Sequence, residues 1–300
     1  MKKKMTALLF LALLLSLTAF SFQAMAATVV IDPGHGGAGT EGCGAIYAPY
    51  IEKSLSLDLA SKLAGELSAA GVSVYMTHST DQAMSLPARA DYAKSMGAKL
   101  MVSIHFNASG PHDKTGTEVW TSAFGNHYKV GSECGSQVLS QISALGLSSK
   151  GVKTKLGSQG DYYGVIRYAT SMGVPTIIIE HCFLDHPIDR AVLERVGTAG
   201  FAHADAVGII NFLTSATGQA LMNGSLDVSP VNQGAAAAAL LAGGKSSGAA
   251  ASNLSANFTP AQWNWLLSQW AYTGHAEEVM ASVPLEELKA LVAEHEKGNL

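Results

Sequence analysis

The run Ile177-Ile178-Ile179 constrains the fold more than any other feature of this sequence. A strand turns successive side chains to opposite faces, so consecutive isoleucines make both faces apolar. Such a strand suits a parallel sheet covered by helices on both sides. Further strand-like runs occur at Val29 to Asp32, Val72 to Thr77, Leu100 to His105 and Gly116 to Thr121, with the isoleucines inside Thr176 to Glu180. Stretches with helical spacing lie between them. Ser54 to Ala70 carries Leu55, Leu59, Leu63 and Leu67 along one stripe and meets Gly71, a residue suited to ending a helix. Leu86 to Met96, His127 to Leu145 and Ile188 to Leu213 read as further helices. The alternation predicts an α/β domain over residues 27–213, with one mostly parallel sheet and helices on both faces. With 48% of its 300 residues hydrophobic and only 14% charged, the chain can build that core and still have a small appendage.

The chain opens with Lys2, Lys3 and Lys4, continues with an apolar run from Ala7 to Phe22, and then shows Ala24-Met25-Ala26. This is the order of a secretory signal peptide, expected over residues 1–26 with cleavage after Ala26. The apolar run is shorter than the ~20 residues a spanning helix needs, and Ser16, Thr18 and Ser21 dilute it. The expected product is exported, to the cell envelope or beyond it, and to the periplasm where an outer membrane exists, with no transmembrane segment in the mature chain. A net charge of -4 offers no basic stripe for nucleic acid or an anionic membrane. Cys43, Cys134 and Cys182 are too few for a disulfide scaffold and lack paired zinc-site spacing, so they read as small core residues.

Composition changes after Leu213. Glycines, the alanines Ala235 to Ala239 and Gly243-Gly244-Lys245-Ser246-Ser247-Gly248 read as a flexible linker over residues 214–257. Thr259-Pro260-Ala261-Gln262 then has the form of a capping box, followed by Trp263, Leu266, Leu267 and Trp270 on one helical face. A second helix from about Leu285 carries Leu288, Leu291 and Val292, so residues 258–300 read as a small helical hairpin. Those apolar residues either form the hairpin's own core or dock on the main domain, or they serve an envelope or protein partner.

Chemistry concentrates at predicted strand ends. His35 lies in Asp32-Pro33-Gly34-His35-Gly36-Gly37, directly after a strand, where open α/β sheets place their ligand sites. A phosphate-binding loop is the rival reading, but the Walker lysine and the Gly-x-Gly-x-x-Gly spacing are absent. His105 ends another strand and can reach the same edge. Glu52, near the start of the Ser54 helix, would complete two histidines and a carboxylate with room for a water; read alone, it is a solvated or helix-capping acid. Glu180 ends the isoleucine strand, where a carboxylate needs a partner or a task, either a salt bridge or general-base work. His181 and His186 are nearby alternatives, as substrate contacts or spare metal ligands. Asp32 could orient a ligand imidazole or cap a turn.

Taken together, Val30-Ile31-Asp32-Pro33-Gly34-His35-Gly36-Gly37, Glu52-Lys53-Ser54-Leu55-Ser56-Leu57, Leu86 to Arg89, Ser103-Ile104-His105-Phe106-Asn107-Ala108 and Glu180 with Phe183-Leu184 and Pro187-x-Asp189 resemble, in order, the zinc-dependent N-acetylmuramoyl-L-alanine amidase family. The resemblance covers Thr28 to Leu213. It implies one zinc ion held by His35, Glu52 and His105, with Glu180 as the catalytic carboxylate and Arg89 and Asn107 as supporting or substrate-contacting candidates. It also implies peptidoglycan as substrate and hydrolysis of the amide between N-acetylmuramic acid and L-alanine. The alternatives are a non-catalytic wall-binding protein with the same fold and a zinc peptidase acting on another wall amide. The chain departs from the family's usual pattern at His78, Cys182 and His186, where Arg, Gly and Asn are usual.

Overall fold

Val29, Val30 and Ile31 have no exposed surface, because the strand that carries them is the second in a row of six and is covered on both faces. The computed structural model of the chain describes residues 25–39, 41–236, 257–270 and 285–297. Most of the expected signal peptide lies outside these residues; Met25 and Ala26 belong to the first strand.

The sheet is built from β1 (Met25–Pro33), β4 (Val72–Met76), β5 (Leu100–Asn107), β6 (Thr117–Thr121), β7 (Ser149–Lys153) and β10 (Thr176–Phe183), in the order β4-β1-β5-β10-β6-β7. The pairs β4-β1, β1-β5 and β5-β10 are parallel, β10 meets β6 antiparallel, and β7 runs parallel to β6. The expected α/β class and mostly parallel sheet are therefore what the chain forms. Short hairpins β2–β3 (Ile46–Tyr47 and Tyr50–Ile51) and β8–β9 (Leu156–Gly157 and Gly160–Asp161) stand outside the sheet.

Alternation along the strands feeds two apolar layers. One face sends Val29, Ile31, Val102, Ile104, Ile177 and Ile179 against α1 (Glu52–Ala69), α3 (Gly125–Ala144) and α5 (Pro187–Thr214). The opposite face sends Val30, Met101 and Ile178 against α2 (Leu86–Ser95) and α4 (Gly164–Ser171). Each fully buried aliphatic side chain contributes roughly 1.5–3 kcal/mol, so the isoleucine run supports both layers at once. Gly71, at φ 83°, ends α1 as its position suggests. By length and apolar content α5 could cross a membrane, yet 56% of its most apolar window is buried, and its apolar residues belong to the core shared with α1 and α3.

The stretch expected to be linker from residue 214 starts differently. Residues Ala216–Met222 form α6, Leu221 is buried, and Leu226 and Val228 pack on the core. The buried Gln233 side chain accepts from Asp161 N at 2.8 Å and donates to Asp161 Oδ2 at 2.9 Å. Small residues make this possible: a Cβ on Gly218 would lie 2.0 Å from Phe212 O. Composition suggested a flexible tether, while the small side chains serve close packing. The remainder, 237–256, lies outside the described residues.

Beyond it, α7 (Pro260–Trp270) and α8 (Leu285–Glu296) bury Leu266, Leu288 and Val292 together with Phe258, Trp263 and Trp265. The capping box closes reciprocally, with Thr259 N donating to Gln262 Oε1 at 2.8 Å and Gln262 N to Thr259 Oγ1 at 3.3 Å. The hairpin thus has a small core of its own; the side chains of Leu267, Trp270 and Leu291 lie outside the described residues.

Candidate metal centre

Parallel strands in register end at one edge. Asp32 on β1 lies beside Ser103 on β5, and His105 on β5 lies beside Glu180 on β10. Just past β1 the chain turns through positive φ at His35 (66°), Gly36 (116°) and Gly37 (88°). A non-glycine residue at positive φ is strained and needs anchoring. Arg89 anchors it, donating from Nη2 to His35 O at 2.6 Å and from Nη1 to Pro33 O and Asp32 Oδ1, each at 2.7 Å. Asp32 also accepts from Thr77 Oγ1 at 2.7 Å and Ser103 Oγ at 2.8 Å. The sequence leaves Asp32 to orient a ligand imidazole or to cap a turn; among the described residues the hydrogen bonds of its carboxylate go to Arg89, Thr77 and Ser103, so it steadies the His35 loop through Arg89. Downstream, Lys53 Nζ joins Gly37 O (2.8 Å) to Asp81 (2.7 Å), closing the loop against α1.

The β2–β3 hairpin delivers Glu52 as the first residue of α1. Its Oε2 accepts from Ala45 N at 2.7 Å and its Oε1 from Phe106 N at 3.1 Å, so the backbone aims the carboxylate. Oε1 lies 2.9 Å from His105 Nδ1 and 3.1 Å from His35 Nε2. The two rings meet edge to face with centroids 5.0 Å apart, and all three donor atoms lie within 4.8 Å of one another. Tetrahedral zinc with bonds of ~2.0–2.1 Å sets neighbouring donors about 3.3 Å apart. These two nitrogens and one oxygen therefore fit such an ion. Burial opposes the Glu52 charge, but the hydrogen bonds of His105 and then His35 prevail and hold the carboxyl at about 2. Two glycines leave room for the cluster: a Cβ on Gly34 would come within 2.5 Å of the His105 ring, and one on Gly44 within 2.3 Å of Glu52 Oε2.

Glu180 faces the same way as His105. Its Oε2 is closed to solvent and has no hydrogen-bond partner among the described residues. Burial, then the charges of Glu52 and Glu118, push its carboxyl well above the usual carboxylate range. Glu118 on β6 is the antiparallel register partner of Glu180, and its oxygens take Asn107 Nδ2 at 3.2 Å, Trp120 Nε1 at 3.0 Å and the Lys153 ammonium. Sequence reasoning passed over Glu118 and Lys153, because Glu118 sits in a predicted strand with Thr117 and Thr121, where a further polar residue does not stand out.

The remaining candidates are placed elsewhere. His181 alternates to the opposite face, fully buried between Phe106 and Phe201, with Nδ1 2.9 Å from His105 O and Nε2 2.8 Å from Asp205 Oδ2. His186 caps α5, accepting from Ile188 N at 3.3 Å. Neither joins the donor set, and His181 has no exposed surface. Asn107 reaches Glu118 and, through Oδ1, Ala108 N at 2.9 Å. His78 is buried under the glycine loop, its Nδ1 3.1 Å from Thr77 Oγ1. Cys134 and Cys182 are core residues as expected, whereas Cys43 is half-exposed on the loop; all three are free thiols.

Beside the donors opens a cleft of about 550 Å³ between the sheet edge, α2 and α4, lined by His35, Leu86, Arg89, Ser103, His105 and Val165. The sequence profile described as N-acetylmuramoyl-L-alanine amidase matches residues 29–211. The chain belongs to this amidase family. The amidase LytC of Bacillus subtilis is 30% identical over 171 residues, which are 56% of this chain and 32% of LytC. The sporulation-specific N-acetylmuramoyl-L-alanine amidase of the same organism is 30% identical over 192 residues, 63% of this chain and 67% of that one. Among solved structures, an amidase from Clostridium difficile 630 (28% identity, TM-score 0.54) matches 63% of this amidase-family chain and 98% of its own. The catalytic domain of CwlV from Paenibacillus polymyxa var. colistinus (26%, TM-score 0.53) matches 62% and 98%. The chain thus spans about a third of LytC, while the solved amidase domains fit inside it almost whole.

Proposed function

We propose that this amidase-family chain hydrolyses the amide between N-acetylmuramic acid and the L-alanine of the peptidoglycan stem peptide, using one zinc ion held by His35, Glu52 and His105. The observation that carries the reading is the convergence of His35 Nε2, His105 Nδ1 and Glu52 Oε1 beside a carboxylate with an enclosed, unpaired oxygen. Zinc bound there would acidify a water and polarise the scissile carbonyl. Glu180, whose proton affinity burial has raised, takes the proton of the attacking water and delivers it to the departing alanine nitrogen, which otherwise leaves poorly as an anion. Arg89 and Asp32 keep the His35 loop in place through both steps. The cleft between α2 and α4 gives the muramoyl group a place beside the donors.

The substrate lies outside the cytoplasmic membrane, consistent with an exported chain whose leader is residues 1–26. In the α7–α8 hairpin Trp263 and Trp265 pack in a core of its own; an envelope or protein partner is the further reading of its remaining surface. A wall-binding protein without activity would have no need of the complete donor set, and a zinc peptidase would release different ends. Purified protein is expected to hold one zinc per chain, to lose peptidoglycan turnover on chelation and to regain it with added zinc. Zinc without turnover would mark a binding protein, and turnover untouched by chelation would remove the metal from the reaction.

A further inference from the structure

The peptide unit between His105 and Phe106 is held at both ends. Its N–H, that of Phe106, donates to Glu52 Oε1 at 3.1 Å, the same oxygen that faces His105 Nδ1 and His35 Nε2. Its carbonyl, that of His105, lies 2.9 Å from His181 Nδ1, and a carbonyl only accepts, so Nδ1 carries the hydrogen. Nε2 of the same ring lies 2.8 Å from Asp205 Oδ2 on α5, and the two share one hydrogen. A chain of hydrogen bonds thus runs from Asp205 through His181 and one peptide unit to the carboxylate of the donor set. The strand pairing breaks at this place. His105 pairs with Glu180 but Asn107 with Phe183, so β10 takes three residues where β5 takes two. Bulges of this kind re-aim side chains and recur beside functional sites. His181 enters the core here without exposed surface, its ring 5.2 Å from that of Phe106 and 5.4 Å from that of Phe201. Asp205 is equally enclosed, and its Oδ1 has no partner among the described residues. For stability alone, apolar side chains of similar volume serve such a position at least as well.

We propose that His181 and Asp205 are positioning residues for the metal centre: they fix the peptide unit 105–106 from the core side, and through it the directions of the His105 ring and of Glu52 Oε1. Hydrogen bonds in series polarise one another, so a donor on the carbonyl makes the N–H a firmer donor to Glu52. Asp205 stops the imidazole from turning, and its neighbours Ala204 and Ala206 are packed in the core that α5 shares with α1 and α3. The pair has no net charge whichever atom holds the shared hydrogen, so its part is geometric and needs no proton to leave it. The inference rests on the metal site of the proposed function.

Three measurements on the full chain separate aim from folding: zinc affinity by chelator competition, the visible spectrum of the cobalt-substituted protein, and Tm of the metal-free protein. His181→Phe with Asp205→Ala removes both polar groups at nearly constant combined volume, the larger ring reaching into the space that Asp205 leaves. Tm should stay near the parent or rise. Zinc affinity should fall by about tenfold or more, the scale set by outer partners of metal ligands, and the cobalt bands should shift as the ligand directions relax. Asp205→Asn, whose amide can donate to His181 Nε2 while Nδ1 still serves the carbonyl, should hold zinc nearly as the parent does. Parent-like affinity in the double variant would overturn the proposal, as would an affinity that falls only in step with Tm. An Asn variant as weak as the double one would overturn it too, by making the carboxylate's charge the cause. A parent that binds no zinc would instead overturn the metal site on which it rests.

Discussion

At the scale of single residues, the centre is an arrangement of acids held in different states by their surroundings. Glu52 is ionised because two imidazoles and two backbone amides meet it. Its folded pKa of about 2 lies below the ordinary 4.5, so its charge stabilises the metal-free fold above pH ~4.5, and that stability is lost as pH falls through about 2. Acid titration of the metal-free protein followed by circular dichroism should show this loss, and Glu52→Gln should flatten it. Glu180 has the opposite sign. Its folded pKa is raised, so the ionised form opposes folding as pH climbs above the ordinary carboxyl value. Glu180→Gln should therefore raise Tm of the metal-free protein at neutral pH while lowering turnover by about 10²-fold or more, with zinc still bound. A fall of metal and activity together would make Glu180 a ligand instead. Arg89 belongs with these acids, since it pairs with the buried Asp32 and fastens the strained His35. Arg89→Met leaves Asp32 charged and unpaired, a change of the kind that costs about 3–5 kcal/mol. Zinc affinity should fall with it by roughly 10–100-fold, read by calorimetry and by chelator competition.

At the scale of elements, strand ends were legible because nearly unbroken apolar runs, whose period-2 side chains fill both faces, stop abruptly at Asp32, His105 and Glu180. The same period, applied one residue further, would have turned His181 away from Glu180 and into the core, and Glu118 toward it. Arg89 could not be placed from sequence because its partners come from the end of β1, the turn at His35 and Met84, brought together only by the fold. Strand β7 and helix α4 were missed because Ser149-Lys150-Gly151-Val152-Lys153 lacks an apolar run and Gly164 to Ser171 is too short to declare a period. Small residues misled in the other direction, making α6 and the segment after it look like tether. Removing residues 237–300 should leave Tm of the catalytic unit nearly unchanged. Removing 214–300 deletes Leu221 and the Gln233 bonds to Asp161, and should lower Tm by several degrees, since about 1 kcal/mol shifts a domain of 150–250 residues by roughly 2–4 °C. Equal melting of the two truncations would restore the linker boundary at 214.

At the scale of the whole molecule, one sheet edge gathers the donor set, Glu180 and the cleft, as parallel sheets do at the carboxyl ends of their strands. A family match over residues 29–211 and solved amidase domains that fit within the chain almost whole cover this same unit. If the hairpin serves an envelope partner, deleting it should lower binding to whole walls more than turnover of soluble fragments. The bond cleaved is the centre of the account, and mass spectrometry of purified peptidoglycan after digestion reads it directly. Intact stem peptides with a free L-alanine amino terminus, absent after chelation and absent with Glu180→Gln, are the expected products. Peptides shortened at an internal amide, or saccharides still joined to every stem, would contradict it.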